Sequence, residues 1–369
     1  MKIPLVDLKA QYQNIKSEIN SAIQEVFTNS QFILGPQLQE FENNYAAYCE
    51  AKYCIGVSSG TSAIYLALLA LNIKPGDEII TTPYTFIATT ECISLLGANI
   101  KFVDIDETTY NIDVTKIEKA ISNKTKAIIP VHLFGQICEM NAIKEIASKY
   151  NLNIIEDSAQ AHGAEYYNKK SPIDKTACYS FFPSKTLGAY GDAGAVVTND
   201  ESMAEKIRLL RFHGTKDKKS FFINGFNHRL DNIQAAMLNV KLKYLDKWVQ
   251  RRRQIAKLYN EIFNNYVITP LEKNNHKNSY YLYIIRSKKR NELQDYLNKS
   301  WINTAIYYDP SLHLQPVYNY LKHRKGSFPV TENIASEAIA IPMYPELTDE
   351  QVIFIANKIK EFHKNDNNN

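Results

Sequence analysis

Four short segments carry residue types whose chemistry exceeds what packing requires. The most unusual is Ser180-Phe-Phe-Pro-Ser-Lys185-Thr-Leu-Gly. Its lysine follows an apolar run directly and sits among Pro, Ser and Gly. An amine held in a partly desolvated pocket loses proton affinity and attacks carbonyl carbons to form a Schiff base. The second segment is Glu156-Asp157-Ser158-Ala159-Gln160. Asp157 closes a run that reads as a buried strand, which puts it at the carboxyl edge of a sheet, where open α/β folds bind ligands. The third is Ser58-Ser59-Gly60-Thr61, between a strand and a helix. Backbone N–H groups at a helix start, with a hydroxyl beside them, cradle a phosphate. No Gly-Lys-Ser/Thr follows, so this is not a Walker loop. The fourth is Asn224-Gly-Phe-Asn227-His228-Arg229-Leu-Asp231, with amide, imidazole and guanidinium in succession. Phe86, in Pro83-Tyr-Thr-Phe-Ile-Ala-Thr, offers a ring that could stack on a flat cofactor. Each also has a plain structural reading: a surface lysine, a helix N-cap for Asp157 and for Ser59, a polar loop, a core aromatic.

The elements that must position them alternate between strand and helix. Lys52–Ser58 reads as a strand and is followed by an apolar helix through Leu71. Glu78–Thr82 is a strand, Pro83–Leu96 a helix ending at Gly97, and Ile100–Val103 a strand. Val114–Ile121 and Met140–Tyr150 read as helices around a strand at Lys126–Val131, with Asn153–Glu156 a strand after them. That rhythm predicts an α/β domain with a mixed, mostly parallel sheet. Beyond Asp157, strands are expected at Ala177–Phe182 and Ala195–Thr198, and a helix at Met203–Leu210. Leu230–Arg253 reads as one long helix or two in series. From about Val267 the pattern is shorter, with a strand at Tyr280–Arg286 and helices at Asn291–Lys299 and Asp349–Glu361. The expected division is a large domain over 1–245 and a smaller C-terminal α/β domain over 246–369, ending in a frayed polar tail, Lys364–Asn369.

Composition excludes several function classes. The 369 residues are 45% hydrophobic and 22% charged, with a net charge of +4. Those values suit a globular protein with a substantial core, not collagen, a coiled coil or a disordered tail. The charge is too weak and too dispersed to imply nucleic acid. No apolar run approaches a membrane span, and the opening MKIPLVDLKAQYQ lacks the continuous apolar stretch expected of a secretory signal. Five scattered cysteines without a CxxC spacing suggest neither disulfides nor zinc, so a reduced, cytoplasmic setting is expected, and the eight histidines show no HExxH pattern. No metal is expected.

Together the segments supply a phosphate cradle, a ring partner, a carboxylate and a Schiff-base lysine. That set meets the needs of pyridoxal phosphate (PLP), which acts as an electron sink only while its pyridine nitrogen is held protonated. With Phe32-Ile-Leu-Gly-Pro36, Gly56-Val-Ser-Ser-Gly-Thr61 and Gly191-Asp-Ala-Gly194 added, the chain resembles the DegT/StrS sugar aminotransferases, which are fold-type I PLP enzymes. The resemblance implies that Lys185 carries the cofactor, Asp157 pairs with its ring nitrogen, Gln160 lies near its hydroxyl and Phe86 stacks on it. Gly60, Thr61 and Ser180 would hold the phosphate, joined by Asn227 from a neighbouring subunit, so a homodimer with shared active sites is implied. The family draws nitrogen from L-glutamate and delivers it to nucleotide-linked keto sugars.

Within the family, Ile3–Tyr12 and Leu312-His-Leu-Gln-Pro-Val-Tyr318 resemble the branch acting on dTDP-3-keto-6-deoxyhexoses, which makes 3-amino-3,6-dideoxy sugars for surface glycans. The substrate side departs from the pattern, because Tyr307-Tyr308-Asp309 stands where many relatives have His-Tyr-Pro. Arg229, Tyr307, Tyr308 and His313 are the candidates for sugar and diphosphate contacts. A 4-keto sugar or a UDP-linked 3-keto uronic acid is the alternative acceptor. A PLP dehydratase would replace Lys185 with histidine. A sensor that binds the cofactor without turnover is the reading from another class.

Overall fold

The computed structural model describes residues 2–263 and 266–366, so residues 367–369 of the polar tail lie outside it. Two four-stranded sheets form its centre. In the first, Asn99–Phe102, Glu78–Thr81, Thr125–Ile128 and Asn153–Ile154 lie side by side and parallel. In the second, Tyr53–Val57, Gly194–Thr198, Thr176–Ser180 and Glu156–Asp157 follow in that order. Only Gly194–Thr198 runs against its neighbours. The chain from Asn153 to Asp157 joins the two sheets. Ile155 N–H donates to the Ile128 carbonyl at 3.1 Å and Asp157 N–H to the Pro130 carbonyl at 2.9 Å, so one interrupted strand belongs to both. The expected mixed, mostly parallel sheet is what the chain forms.

Both sheet faces are covered, which is why the strands read as nearly unbroken apolar runs. Ile55, Val57, Ile79, Ile100, Ile129, Ile155 and Val196 are buried in one core with the helix Gly60–Ala70. Two helices absent from the sequence reading, Leu8–Asn29 and Pro36–Tyr48, precede the first strand. Asp7 caps the first, accepting from Ala10 N–H at 2.9 Å, and Pro36 opens the second. The stretch expected as a helix over Pro83–Leu96 is helical only over Ala88–Leu95. Proline cannot continue a helix and Thr82 Oγ1 accepts from Tyr84 N–H at 3.1 Å, so the chain turns before it coils. The long basic helix is two in series, Asn232–Leu242 and Leu245–Phe263.

The later part of the chain builds a second core. Tyr283–Arg286 pairs antiparallel with Ala338–Ile341, a strand not foreseen. The helices Leu245–Phe263, Arg290–Lys299 and Asp349–Asp366 contribute to this core, so Lys364–Asp366 continue a helix where fraying was expected. Ile3 joins it: its N–H donates to the Trp301 carbonyl and Asn303 N–H returns to the Ile3 carbonyl. A third cluster spans the junction, with Tyr84, Val131 and Phe134 against Tyr281, Leu282 and Ile284. This junction lies beside Asp157 and Lys185.

Candidate active site

Asp157 ends the strand that joins the two sheets and is 5% exposed. Its Oδ2 accepts from Thr89 Oγ1 at 2.7 Å and its Oδ1 from Ala159 N–H at 3.2 Å. Burial raises its proton affinity. The Thr89 hydroxyl, the Ala159 N–H and the positive charge of Lys185 oppose that rise. Thr89 is placed by the first turn of Ala88–Leu95, and its N–H donates to the Phe86 carbonyl at 3.3 Å. Phe86 is thereby held one turn before Thr89, its ring 6.3 Å from that of Tyr308 and 56% exposed. A large ring left that open suits stacking against a flat ligand.

The phosphate cradle takes shape at Gly60. Ser59 caps the helix Gly60–Ala70 by accepting from Ser62 N–H at 3.0 Å, and Ala63 N–H gives the first backbone bond, to the Ser59 carbonyl. The N–H groups of Gly60 and Thr61 precede that bond and face out of the helix end. A Cβ on Gly60 would lie 2.6 Å from Ser180 Cβ, so only glycine lets the helix start approach the Ser180 hydroxyl. Ser180 in turn is fixed from behind. His162 Nε2 donates to its carbonyl at 2.8 Å, and Tyr45 Oη meets His162 Nδ1 at 2.7 Å. Burial pushes the His162 imidazole down to about 3, so the ring is neutral. These positions fit a phosphorylated heteroaromatic cofactor: anion-binding N–H groups, a hydroxyl, an open ring and a buried carboxylate.

Lys185 follows Thr176–Ser180 in a loop and is half-buried, with its N–H on the Phe182 carbonyl at 2.8 Å. Its Nζ lies 4.5 Å from the centre of the Tyr281 ring. Gln160 is 4% exposed, and its two ends are occupied. Oε1 accepts from Phe134 N–H at 2.9 Å, and Nε2 donates to Tyr308 Oη at 3.0 Å. Tyr308 stacks near Phe134 and tilts toward Phe86, so it borders the same space. Tyr307, partly buried beside it, receives the Tyr84 hydroxyl on its carbonyl.

The remaining candidates are engaged by other partners, although Arg229 pairs with Val57 beside the cradle. His313 is 1% exposed, with Nε2 on Glu332 Oε1 at 3.0 Å and Nδ1 near Ser311 Oγ at 3.3 Å. Arg229 lies over the Phe212 ring at 5.4 Å, and among the described residues its Nε is buried without a hydrogen-bond partner. Asn227 is exposed and bridges Phe212. Sequence reasoning missed Thr89, His162 and Tyr281. His162 had one available signal: it follows Gln160-Ala161 and precedes Gly163, a polar residue in a run of small ones. Among the described residues no helix is long and apolar enough to cross a membrane, and no cluster of His, Cys, Asp and Glu is arranged to hold a metal.

Relatives of known or assigned role match nearly end to end. The chain is 46% identical to a pleiotropic regulatory protein of Geobacillus stearothermophilus, with 99% of each covered. It is 41% identical to the dTDP-3-amino-3,6-dideoxy-alpha-D-galactopyranose transaminase of Aneurinibacillus thermoaerophilus, covering 98% of this chain and 99% of that one. It is 40% identical to the UDP-2-acetamido-2-deoxy-3-oxo-D-glucuronate aminotransferase of Pseudomonas aeruginosa, covering 96% and 98%. Among solved structures, DesV of S. venezuelae, captured with a ketimine intermediate, superposes with a TM-score of 0.97 at 37% identity over 98% of both chains. NtdA of Bacillus subtilis, with its bound cofactor PMP, superposes at 0.91 and 30% identity, over 98% of this chain and 85% of that one. The chain's cofactor is PLP and its reaction is amino-group transfer. Over residues 13–360 it matches, and it belongs to, the DegT/DnrJ/EryC1/StrS aminotransferase family.

Proposed function

We propose that the chain moves an amino group from L-glutamate to C3 of a dTDP-linked 3-keto-6-deoxyhexose, giving a 3-amino-3,6-dideoxy sugar for surface glycans. The observation that carries the reading is the gathering of Asp157, the Gly60–Ser180 cradle and Lys185 at one sheet edge. PLP supplies a sink for the electron pair released at the donor's Cα. Asp157 holds a proton on the ring nitrogen through its charge, and Thr89 keeps that carboxylate oriented. Gly60, Thr61 and Ser180 bind the phosphate. Gln160 stands beside the ring hydroxyl and Phe86 covers one face. With the cofactor bound, Lys185 Nζ would be the base that takes up the donor's Cα proton. In the second half-reaction the same amine would pass a proton to C3 of the keto sugar.

Arg229 carries the charge for the nucleotide diphosphate, and Tyr307 and Tyr308 offer neutral hydrogen bonds to the sugar. His313, engaged by Ser311 and Glu332, acts by fixing the loop that follows Tyr307 and Tyr308. Asn227 reaches the phosphate of a second copy, so the working form is a homodimer in the cytoplasm, as two domains meeting near residue 245. Exposed Phe221 and Phe222 near Asn227, and five buried free cysteines, agree with that reading.

A second acceptor, a UDP-linked 3-keto sugar, is supported by the 40% identity to the Pseudomonas aeruginosa enzyme. The test is spectroscopic. L-Glutamate should bleach the visible band of the PLP-loaded protein, and keto sugars are ranked by how fast they restore it. Restoration fastest by a dTDP-3-keto-6-deoxyhexose supports the proposal, and fastest by a UDP-3-keto sugar replaces it. A band that glutamate leaves unchanged removes the donor assignment, and absence of turnover with every sugar favours a regulatory role.

A further inference from the structure

The C-terminal unit reaches Lys185 through one residue that the reaction, as derived above, does not use. Tyr281 is 8% exposed, and the Lys185 ammonium stands over its ring at 4.5 Å, within the ~6 Å reach of a cation–π contact. Its Oη lies 3.4 Å from Ser184 Oγ. The ring therefore touches the lysine loop at two successive residues.

The backbone behind the ring is pinned with unusual thoroughness. Arg252, 3% exposed in the helix Leu245–Phe263, donates from Nη1 to three carbonyls: Met343 at 2.7 Å, Tyr280 at 3.1 Å and Tyr281 at 3.3 Å. Asn278 Oδ1 adds a bond from Tyr280 N–H at 2.7 Å. Burial lowers the guanidinium to about 10, which leaves it charged at neutral pH. A buried guanidinium is retained at a cost unless its hydrogen bonds have a use, and two of these three bonds fix the segment that carries Tyr281 while the third ties it to Met343.

We propose that Tyr281 is the resting platform of the Lys185 amine whenever that amine is not bonded to the cofactor, and that Arg252 is the positioning residue that holds the platform in place. The proposal rests on the reading of Lys185 as the cofactor-carrying lysine. A transaminase frees that amine in each half-reaction and must recover it in the same place. A free lysine has four rotatable bonds and much rotamer entropy to lose. An aromatic face attracts an ammonium without the tight hydrogen bonds of a carboxylate, so it keeps the amine near and lets it leave.

The experiment labels the cofactor-free protein with trinitrobenzenesulfonate and follows the Lys185 peptide by mass spectrometry, in wild type, Tyr281→Phe, Tyr281→Leu and Arg252→Lys. A cation–π contact of ordinary strength predicts labelling about three to ten times faster in Tyr281→Leu. Tyr281→Phe keeps the ring and should stay within about twofold of wild type by the same account. Arg252→Lys should fall between them. Unchanged labelling in Tyr281→Leu, or an equal rise in Tyr281→Phe, overturns the platform. Wild-type labelling in Arg252→Lys overturns the positioning role. Borohydride fixation of PLP in the loaded wild-type enzyme tests the underlying reading separately. Cofactor on another lysine removes the Lys185 assignment and the platform with it. Cofactor on Lys185 with unaltered labelling in Tyr281→Leu removes the platform alone.

Discussion

Lowering the pH from 7 to 4.5 is expected to weaken the fold through His162. The ring sits between two fixed partners. The Ser180 carbonyl can only accept, so Nε2 carries the proton and Nδ1 accepts from the Tyr45 hydroxyl. A second proton would force Tyr45 to turn its own proton away in a buried site. Burial accordingly drops the imidazole from its ordinary 6.5 to about 3. A displacement of that size corresponds to about 5 kcal/mol between the protonation states. Because the folded value is the lower one, the unfolded chain binds the extra proton first. The stability is fully present above pH 6.5 and is lost as the pH falls toward 3. By pH 4.5 the loss from this one group is about 3 kcal/mol. Carboxylates also contribute to acid weakening, so the comparison is with His162→Gln, whose amide can still donate to Ser180 and accept from Tyr45 but does not titrate. Urea unfolding of the cofactor-free protein at pH 7 and 4.5 should show the wild type losing about 3 kcal/mol more than the variant. Equal losses, or a ring titration with a midpoint near 6.5, would refute the reasoning.

Three further outcomes follow from the same geometry. Gly60→Ala should weaken PLP binding more than tenfold and cost about 1–3 kcal/mol in stability, since the new methyl meets Ser180 Cβ at 2.6 Å on a strand that cannot yield; equilibrium titration and thermal melting read the two effects. Thr89→Val removes the hydroxyl from Asp157 and, at about 1.5–3 kcal/mol for a charged hydrogen bond, should raise the PLP dissociation constant by roughly tenfold or more; equal affinity would show that Thr89 is idle. Lys241 is fully buried with Nζ on the Gly188 carbonyl at 2.7 Å, and burial lowers it to about 7. Its contribution is lost as the pH falls from 10.5 through 7, so Lys241→Met should gain about 3 kcal/mol relative to wild type between pH 9.5 and pH 6.5, and a difference that does not change with pH would count against it.

The sequence made the strands legible because both faces of the sheet are covered, which leaves short apolar runs between turn residues. Lys185, Asp157 and Gly60 were legible because each stands just past such a run, where packing alone gives no reason for its type. Three parts were not. Leu8–Asn29 and Pro36–Tyr48 do carry an apolar stripe at helical spacing, Ile15, Ile19 and Val26 in the first and Leu38, Phe41 and Tyr45 in the second, but polar residues outnumber it and no strand before them sets an alternating rhythm. The turn at Pro83 was hidden because Tyr84 and Phe86 read as helix-compatible aromatics, although the first is core and the second is exposed. Thr89, His162 and Tyr281 act through partners 68, 18 and 97 positions away along the chain, and no local pattern records such a pairing.

The bridge between Ile3 and Ile302 also sets a schedule for synthesis. The partner of Ile3 emerges about 300 residues later, which at about 5–20 residues per second is roughly 15–60 s of translation. Until then the two four-stranded sheets can close, but Ile3 has no backbone partner to join and no apolar core to enter. It docks only after the second core has formed around it, so it is among the last parts of the nascent chain to become protected. Proteolysis of stalled nascent chains should therefore cut before Leu8 long after the Lys185 loop has become resistant.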